Sequence, residues 1–268
     1  MNNVQQLLDI LEGVAPTLLA ARWDNVGLLV GSPRSRVSTV LLALDPTVAL
    51  VAEAQALAAD LIITHHPAIF QPLKQIRTDL PGGAFLTAAL RAGISVIGCH
   101  TNFDAAFGGV SDVLAEALEL RETVPLAPDN AAPCSCGIGR IGNLPMPLQP
   151  EAFLQHLQTV IPMPWLLEAG SRPARELRRV AVCGGSCADL AERALAAGAD
   201  VFLTAEIKHH LARWAEEAGL WLLDGGHFAT ENPAMRRLMQ SLAERTRQVG
   251  VDLQFHLAAQ ESPLRLIR

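Results

Sequence analysis

The chain has no surplus of basic residues and no long apolar run. Its formal net charge is −6, whereas proteins that bind nucleic-acid backbones carry basic surfaces that release counterions. No apolar stretch approaches the roughly 20 residues of a membrane-spanning helix. The first segment, MNNVQQLLDILEGVAP, places Asp9 and Glu12 in a helical apolar pattern, where a secretory signal would have an uncharged core. These features argue against nucleic acid and membrane as partners and against export.

Cysteine motifs and nucleotide-loop motifs are also lacking. The five cysteines include no paired CxxC motif of the kind that builds structural zinc sites, and no GxxxxGK[ST] phosphate loop occurs. An odd number of cysteines in a chain without an export signal is typical of reduced thiols. The sequence therefore predicts a cytoplasmic protein, in which a triphosphate would have to bind through groups other than a phosphate loop.

The chain does contain two similar stretches of α/β sequence. Residues 40–66 read as an apolar strand, a turn, an Ala-rich helix and a second strand, and residues 179–206 repeat this order. The segments AADLIIT and GADVFLT align without a gap, which places His66 opposite Glu206. Short apolar strands between helices are typical of mainly parallel sheets covered on both faces.

The predicted fold is therefore α/β, with two similar lobes that each contain a mainly parallel or mixed sheet flanked by helices. The predicted boundaries are a first α/β lobe at 1–123, a connecting segment at 124–173 and a second α/β lobe at 174–268. The connecting segment is separated because it is rich in Pro and Gly. The alternative, that two unrelated α/β segments merely look alike, stays open at this point.

Polar side chains collect where the predicted strands end. Four histidines and two carboxylates lie there: His65, His66, His100, Asp104, His227 and Glu231. Ligands of open α/β sheets bind beyond the carboxyl ends of strands, because loops and helix N-termini converge there. A lone histidine at such a place is usually only a polar residue with a satisfied partner, but the set as a whole is a candidate site. Imidazole with carboxylate suits zinc, iron or manganese, so we predict a metal site between the lobes.

The adjacent histidines His65 and His66 indicate more than one ion. Neighbouring side chains of a strand point to opposite faces, so both can serve one site only where the chain turns. Such diverging rings are poorly placed for one ion and well placed for two. Two ions about 3.5–4 Å apart need a bridging carboxylate, for which Glu231 is the candidate. We predict His65 and His227 on one ion, His66 and Asp104 on the other, and Glu231 on both.

Five blocks of the sequence resemble one known family in kind and in order. The blocks RWDNVGLLVG, ITHHPAIF, HTNFD, FLTAEIKHH and DGGHFATE are spread over nearly the whole chain. They look like the GTP cyclohydrolase 1 type 2 homologue family, also called NIF-three-like. The resemblance implies two similar lobes, a ring-shaped homohexamer built as a trimer of dimers, and a dinuclear metal site whose ligands correspond to His65, His66, Asp104, His227 and Glu231.

Two departures from the family pattern concern small residues. The turn CGGSC has Cys187 where many relatives carry a further glycine, and TAEIKHH has Ala205 in place of a glycine. Both leave the metal ligands untouched. They put the contacts to a substrate in doubt.

The predicted function is metal-dependent hydrolysis of a small nucleotide-like or phosphorylated molecule, since two divalent ions activate water. Glu231 and His100 are the predicted catalytic residues, with His100 transferring a proton to the leaving group. An equally open alternative is that His100 orients Asp104. Four further residues are predicted to contact the substrate: Trp23, Asp24, Lys208 and His209.

A second hypothesis belongs to another class of protein. In it, the metal pair stabilises a non-catalytic metal-binding or regulatory ring, whose cavity serves partners or metal delivery. Both hypotheses predict bound metal, and turnover of a substrate separates them. A regulator associated with DNA is the weakest possibility, because the chain is acidic.

Overall fold

The structure is a computed structural model that describes residues 2–129 and 136–267. Its strands are β1 (Gly27–Val30), β2 (Thr39–Ala43), β3 (Leu61–Thr64), β4 (Ser95–Gly98), β5 (Arg121–Pro128), β6 (Gly137–Leu148), β7 (Leu167–Gly170), β8 (Leu177–Val182), β9 (Val201–Thr204), β10 (Trp221–Asp224) and β11 (Gln254–Leu257). Its helices are α1 (Val4–Glu12), α2 (Val48–Ala56), α3 (Pro81–Ala92), α4 (Thr101–Ala105), α5 (Val110–Ala117), α6 (Pro150–Val160), α7 (Ala191–Ala196), α8 (His209–Ala218) and α9 (His227–Gln248). Among the described residues, no helix is both long enough and apolar enough to cross a membrane.

The first compact unit comprises Met1–Ala106 and Met235–Gln260. Its five-stranded sheet has the order β1-β4-β3-β2-β11. The strands β4, β3, β2 and β11 run parallel, and β1 pairs antiparallel with β4 at one edge. β2, β3 and β4 are buried along their whole length, because α2 and α3 pack on the sheet. This burial explains why their sequences are apolar runs without alternation.

The second compact unit comprises Phe107–Ala234 and Glu261–Arg268. Its six-stranded sheet has the order β5-β6-β8-β9-β10-β7, in which β8, β9 and β10 are parallel and the other pairs are antiparallel. Alternate residues of the parallel strands join two different apolar clusters. Val201 and Leu203 pack with residues of α5 and α6, whereas Phe202 between them packs with residues of α7 and α8. Helices thus cover both faces of this sheet.

The predicted fold class is confirmed, since each unit is a mixed sheet with a parallel centre and flanking helices. The boundaries of the units differ from the predicted ones. α5, in the predicted first lobe, packs in the core of the second unit, and most of the predicted connecting segment forms β5, β6, α6 and β7 of the second unit. β11, in the predicted second lobe, pairs with β2. These assignments follow from pairings between residues far apart in the chain, which local patterns do not reveal.

The predicted internal repeat has a structural counterpart in two aligned aspartates. Asp60 follows α2 and accepts hydrogen bonds from the backbone N–H groups of Ser38 and Thr39, at 2.7 and 3.1 Å. Asp200 follows α7 and accepts from the backbone N–H groups of Arg178 and Arg179, at 2.6 and 2.9 Å. Burial raises the pKa of each carboxyl, but these hydrogen bonds outweigh burial and the pKa lies below its usual value. In each unit an ionised aspartate fixes the start of the first strand of the repeat.

Candidate metal centre

Three histidines of the first unit lie together at the carboxyl ends of two parallel strands. His65 and His66 follow β3, and His100 follows β4. Thr64 at the end of β3 pairs with Gly98 at the end of β4, so both strands stop at the same edge of the sheet. Each histidine offers one ring nitrogen, and these three atoms lie within 4.8 Å of one another. This cluster could hold a metal ion.

The chain turns between the adjacent histidines, so both rings reach the cluster. The Thr64 hydroxyl donates a 2.7 Å hydrogen bond to the carbonyl oxygen of His66, which closes the turn after β3. The rings of His65 and His66 have centroids 5.2 Å apart and planes inclined by 53°. His65 is fully buried, and His66 is partly exposed. The rings of His65 and His66 can therefore both reach the cluster, although the two residues are neighbours in the chain.

Each ring of this cluster is held through its Nδ1 atom. The acceptors are the Cys99 carbonyl oxygen at 3.0 Å from His65, Asp45 Oδ1 at 2.7 Å from His66, and Asp24 Oδ1 at 2.9 Å from His100. A carbonyl oxygen or a carboxylate only accepts, so Nδ1 carries the proton in each case. The Nε2 atom of a neutral ring is then the electron-pair donor. Histidines that bind metals are held in this way, by an acceptor that fixes the tautomer and the ring orientation.

Asp104 adds a carboxylate to the histidine cluster. It lies in α4, four residues after His100, and its Oδ1 atom is 3.5 Å from Nε2 of the buried His65. With Nδ1 protonated, Nε2 of His65 and the Asp104 carboxylate are both electron-pair donors, and they repel each other unless a cation or proton lies between them. Nitrogen and oxygen donors without thiolate suit zinc, iron or manganese. The residues present thus fit a divalent metal ion.

The second unit carries a histidine and a carboxylate at the start of α9. His227 is the first residue of this helix, and Glu231 lies one turn later on the same face. His227 Nε2 is 3.0 Å from Glu231 Oε2, and Glu231 is 4 % exposed. The Nδ1 atom of His227 is held by Glu206 Oε1 at 2.9 Å. The same arrangement therefore recurs: an acceptor fixes Nδ1, and Nε2 faces a buried carboxylate.

A glycine turn makes room for Glu231. Gly185 lies in the loop after β8 with φ +69°, and a Cβ atom at this position would overlap Glu231 Oε1. Its N–H donates to the Thr230 hydroxyl, and its carbonyl oxygen accepts from the N–H of Ala205. Cys187, the departure in this turn, donates its own N–H to the same carbonyl oxygen. The turn thus ties the ends of β8 and β9 to the first turn of α9.

Asp24 is held by the protein itself. Its carboxylate accepts from the ring of His100 and from the N–H and hydroxyl of Thr101, and its side chain has no exposed surface. Burial raises the pKa of Asp24, but the hydrogen bonds from His100 and Thr101 outweigh burial and hold it far below its usual range. Asp24 therefore stays ionised and orients His100, and a direct substrate contact would require it to leave these partners.

The other predicted substrate residues are exposed. Trp23 is 63 % exposed, and its ring lies edge-on to Phe70 and His100, with centroids 5.7 and 6.0 Å away. Lys208 precedes α8 and His209 is its first residue, and both side chains are exposed to solvent. Trp23 thus borders the histidine cluster of the first unit. Lys208 and His209 lie at the end of the loop between β9 and α8, the loop that contains Glu206.

Sequence reasoning did not predict which residues hold the rings, although it aligned Glu206 with His66. Asp45 follows β2 as His66 follows β3, so the rule for strand ends could have identified it. The carbonyl oxygen of Cys99 gives no sequence signal, because every residue has one. Burial, together with the charges of Asp104 and Asp24, raises the pKa of the Cys99 thiol. Cys99 therefore contributes its backbone and not a thiolate.

The fold and both clusters define a class of protein with two mixed α/β units and histidine–carboxylate clusters that could hold a metal ion. Residues 2–263 match the family described as Duf34/NIF3 (NGG1p interacting factor 3). The chain belongs to this family.

Named relatives and solved structures agree with this membership. A GTP cyclohydrolase 1 type 2 homolog of Streptomyces coelicolor is 35 % identical over 261 residues, which is 96 % of this chain and 92 % of the relative. NIF3-like protein 1 of Drosophila melanogaster is 34 % identical over 75 % of this chain and 68 % of its own length. The crystal structure of a Bacillus cereus protein related to NIF3 superposes with a TM-score of 0.93 and 24 % identity over 99 % of both chains, which shows the fold.

Proposed function

We propose that this protein is a dinuclear metal-dependent hydrolase that acts on a small nucleotide-like or phosphorylated substrate. The observation that carries the proposal is the shared orientation of His65, His66, His100 and His227, whose Nδ1 atoms are all held by acceptors. An exposed histidine with no role in binding or catalysis does not need a hydrogen-bond acceptor at Nδ1. The Nε2 atoms of His65, His66 and His227 oriented in this way are suited to metal ions, and the Nε2 atom of His100 is left for proton transfer.

The proposed ligand set is the one that the sequence predicts. His65 and His227 would hold one ion, His66 and Asp104 would hold the other, and Glu231 would contact both. The 3.0 Å approach of Glu231 to His227 supports a shared ion for these two residues, and the 3.5 Å approach of Asp104 to His65 supports a carboxylate within the histidine cluster. Zinc, iron and manganese all accept such donors. A pair of divalent ions supplies an acidified water as nucleophile and polarises the bond under attack.

His100 is the proposed proton donor to the leaving group. Asp24 fixes its Nδ1–H, so the proton that moves is the one at Nε2. Histidine is the side chain that most often serves in general acid–base catalysis. The alternative, in which His100 orients Asp104, has less support, because the ring of His100 is itself held by Asp24 and not by Asp104.

The proposed substrate class rests on the named relatives and on the exposed residues beside the sites. The name GTP cyclohydrolase 1 type 2 homolog of several relatives favours a nucleotide. Trp23 can cover a planar ring, and Lys208 and His209 at the N-terminus of α8 can contact an anion. The ring-shaped homohexamer and the cytoplasmic location belong to this proposal, and their support is the family resemblance and the cysteine usage.

Metal content and turnover test the proposal together. Elemental analysis of untreated protein should find two divalent ions per chain, and the metal-loaded protein should hydrolyse at least one member of a nucleotide and phosphoester panel. Glu231→Gln should lower that activity by more than about 100-fold, since even the loss of a residue that only orients a ligand costs about 10–100-fold. The control is Glu192→Gln, an exposed residue of α7, which should retain full activity. Two bound ions without turnover above a metal-free protein would favour a non-catalytic, regulatory ring.

Trp23→Leu tests the contact to a planar ring. Stacking of a base on an aromatic side chain contributes about 1–3 kcal/mol, so we expect KM for a ring-bearing substrate to rise about tenfold or more. The value of kcat should change little, because the contact is equal in the ground state and the transition state. A phosphoester without a ring is the control, and its KM should not change. Equal effects on both substrates would remove Trp23 from ring recognition.

A further inference from the structure

Glu206 has an unfavourable backbone conformation that no helix end explains. Its φ is +56°, in the left-handed region that residues other than glycine rarely adopt. Two other non-glycine residues with positive φ, Ala58 and Glu119, directly follow the C-cap residues of α2 and α5, where helices commonly end in this conformation. Glu206 instead follows β9 and precedes α8. Strain of this kind persists only where the surrounding structure enforces it.

The residues on both sides of Glu206 are fixed to the body of the second unit. The N–H of Ala205 donates to the carbonyl oxygen of Gly185 at 3.0 Å. The N–H of Ile207 donates to the carboxylate of Asp224 at 3.1 Å. With its neighbours held in this way, Glu206 cannot relax without breaking a hydrogen bond on one side.

The strained conformation places the Glu206 carboxylate on a ring nitrogen. Glu206 Oε1 is 2.9 Å from Nδ1 of His227, although the Glu206 side chain is 56 % exposed. An exposed glutamate normally gains little from a fixed partner, because its side chain loses rotamer freedom. The same His227 ring presents Nε2 to the buried carboxylate of Glu231 at 3.0 Å. Glu206 therefore holds Nδ1 of His227 and leaves Nε2 on the side of Glu231.

We propose that Glu206 is a positioning residue, whose strained backbone and carboxylate hold the His227 ring with Nε2 available to a divalent cation. The inference rests on the proposed function, because it assigns Glu206 a task toward the metal ions. The inference assigns a role to Glu206, which is not one of the predicted metal ligands. It also separates the two contributions of Glu206: the carboxylate serves metal binding, and the backbone lowers the stability of the fold.

Two variants that both remove the carboxylate test the proposal. Glu206→Ala keeps a residue that is strained at positive φ, whereas Glu206→Gly relieves that strain. Both should lower the affinity of the metal-free full-length protein for Zn²⁺ by about 10–100-fold in calorimetric titration. The glycine variant should nevertheless melt at a higher temperature than the alanine variant. Glu206→Gln, whose amide oxygen can accept from Nδ1–H, should restore most of the affinity.

A readout without metal separates this inference from the proposed function. Nitrogen NMR of the imidazole rings in the metal-free protein should show a proton on Nδ1 of His227 that is hydrogen-bonded and protected from exchange with solvent. In the alanine and glycine variants this protection should be lost, and in the glutamine variant it should be retained. If the wild type takes up no Zn²⁺, the proposed function fails, and the protection of the Nδ1 proton still decides whether Glu206 holds the His227 ring.

Glu122→Gly is the matched control for the backbone. Glu122 is also a glutamate at positive φ, +53°, but its carboxylate accepts from Asn143 and not from a histidine. The Zn²⁺ affinity of the Glu122→Gly variant should equal that of the wild type. Unchanged Zn²⁺ affinity in both carboxylate-free variants, or recovery in Glu206→Gly alone, would overturn the proposal, because affinity would then follow the backbone and not the carboxylate. An Nδ1 proton of His227 that stays protected in both carboxylate-free variants would also overturn it.

Discussion

Gly185→Ala should lower the affinity for divalent cations at least about 100-fold, because a residue that only orients a ligand already contributes about 10–100-fold. A Cβ atom at Gly185 would overlap Glu231 Oε1 and lie 3.5 Å from Nε2 of His227. Glu231 is buried at the start of α9 and has little room to move aside. The smallest possible side chain should therefore displace the proposed bridging carboxylate. Calorimetric titration of the metal-free protein with Zn²⁺ measures the loss.

Gly219→Ala is the control that separates the overlap from backbone strain. Gly219 also has a left-handed backbone, with φ +74°, but a Cβ atom there would have no neighbour within 4 Å. Both variants should lose stability from the strain of an alanine at positive φ, about 1–2 kcal/mol. Only Gly185→Ala should lose metal affinity. An equal loss of affinity in both variants would mean that the loop after β8 acts through general stability and not through Glu231.

Asp112→Ala should destabilise the second unit by about 3–5 kcal/mol, the usual cost of removing one partner of a buried ion pair. Asp112 lies in α5 and binds the guanidinium of Arg140 through both carboxylate oxygens, with Nη2 to Oδ2 at 2.8 Å. Arg140 in β6 is 1 % exposed and also donates to the carbonyl oxygens of Gly137 and Gly139. Without Asp112, the guanidinium would stay buried with its charge uncompensated.

Urea unfolding followed by tryptophan fluorescence measures this loss. Of the four tryptophans, Trp165, Trp214 and Trp221 belong to the second unit, so the signal reports mainly on that unit. The control is Arg213→Ala, which breaks an exposed ion pair with Glu216, and it should change stability by less than about 1 kcal/mol. A loss for Asp112→Ala as small as that of the control would show that the Arg140 charge finds other compensation.

Much of the fold and of the candidate site follows from three simple rules of sequence. All-apolar runs between helices predicted the parallel strands, and the structure buries β2, β3 and β4 completely. The rule that ligands gather at strand ends selected His65, His66 and His100, which the structure brings together. The spacing of four residues selected Glu231 as the partner of His227, since residues one helical turn apart share a face.

The remainder depends on which distant segments pair. β11 joins the edge of the first sheet beside β2, and α5 packs in the second unit, although neither segment differs locally from its neighbours. The partners of the rings were missed for the same reason. Asp45 lies 21 residues before His66, and Glu206 lies 21 residues before His227. No periodicity within a single element connects residues at such separations.

The aspartates Asp60 and Asp200 accept backbone hydrogen bonds in the same way at aligned positions of the two units. The aligned residues after the strands differ: Glu206 corresponds to His66, and Gly185 corresponds to Asp45, the partner of the His66 ring. Equivalent strands thus end in loops of different chemistry: a histidine with its carboxylate acceptor in the first unit, and in the second a glycine whose lack of a side chain leaves room for Glu231.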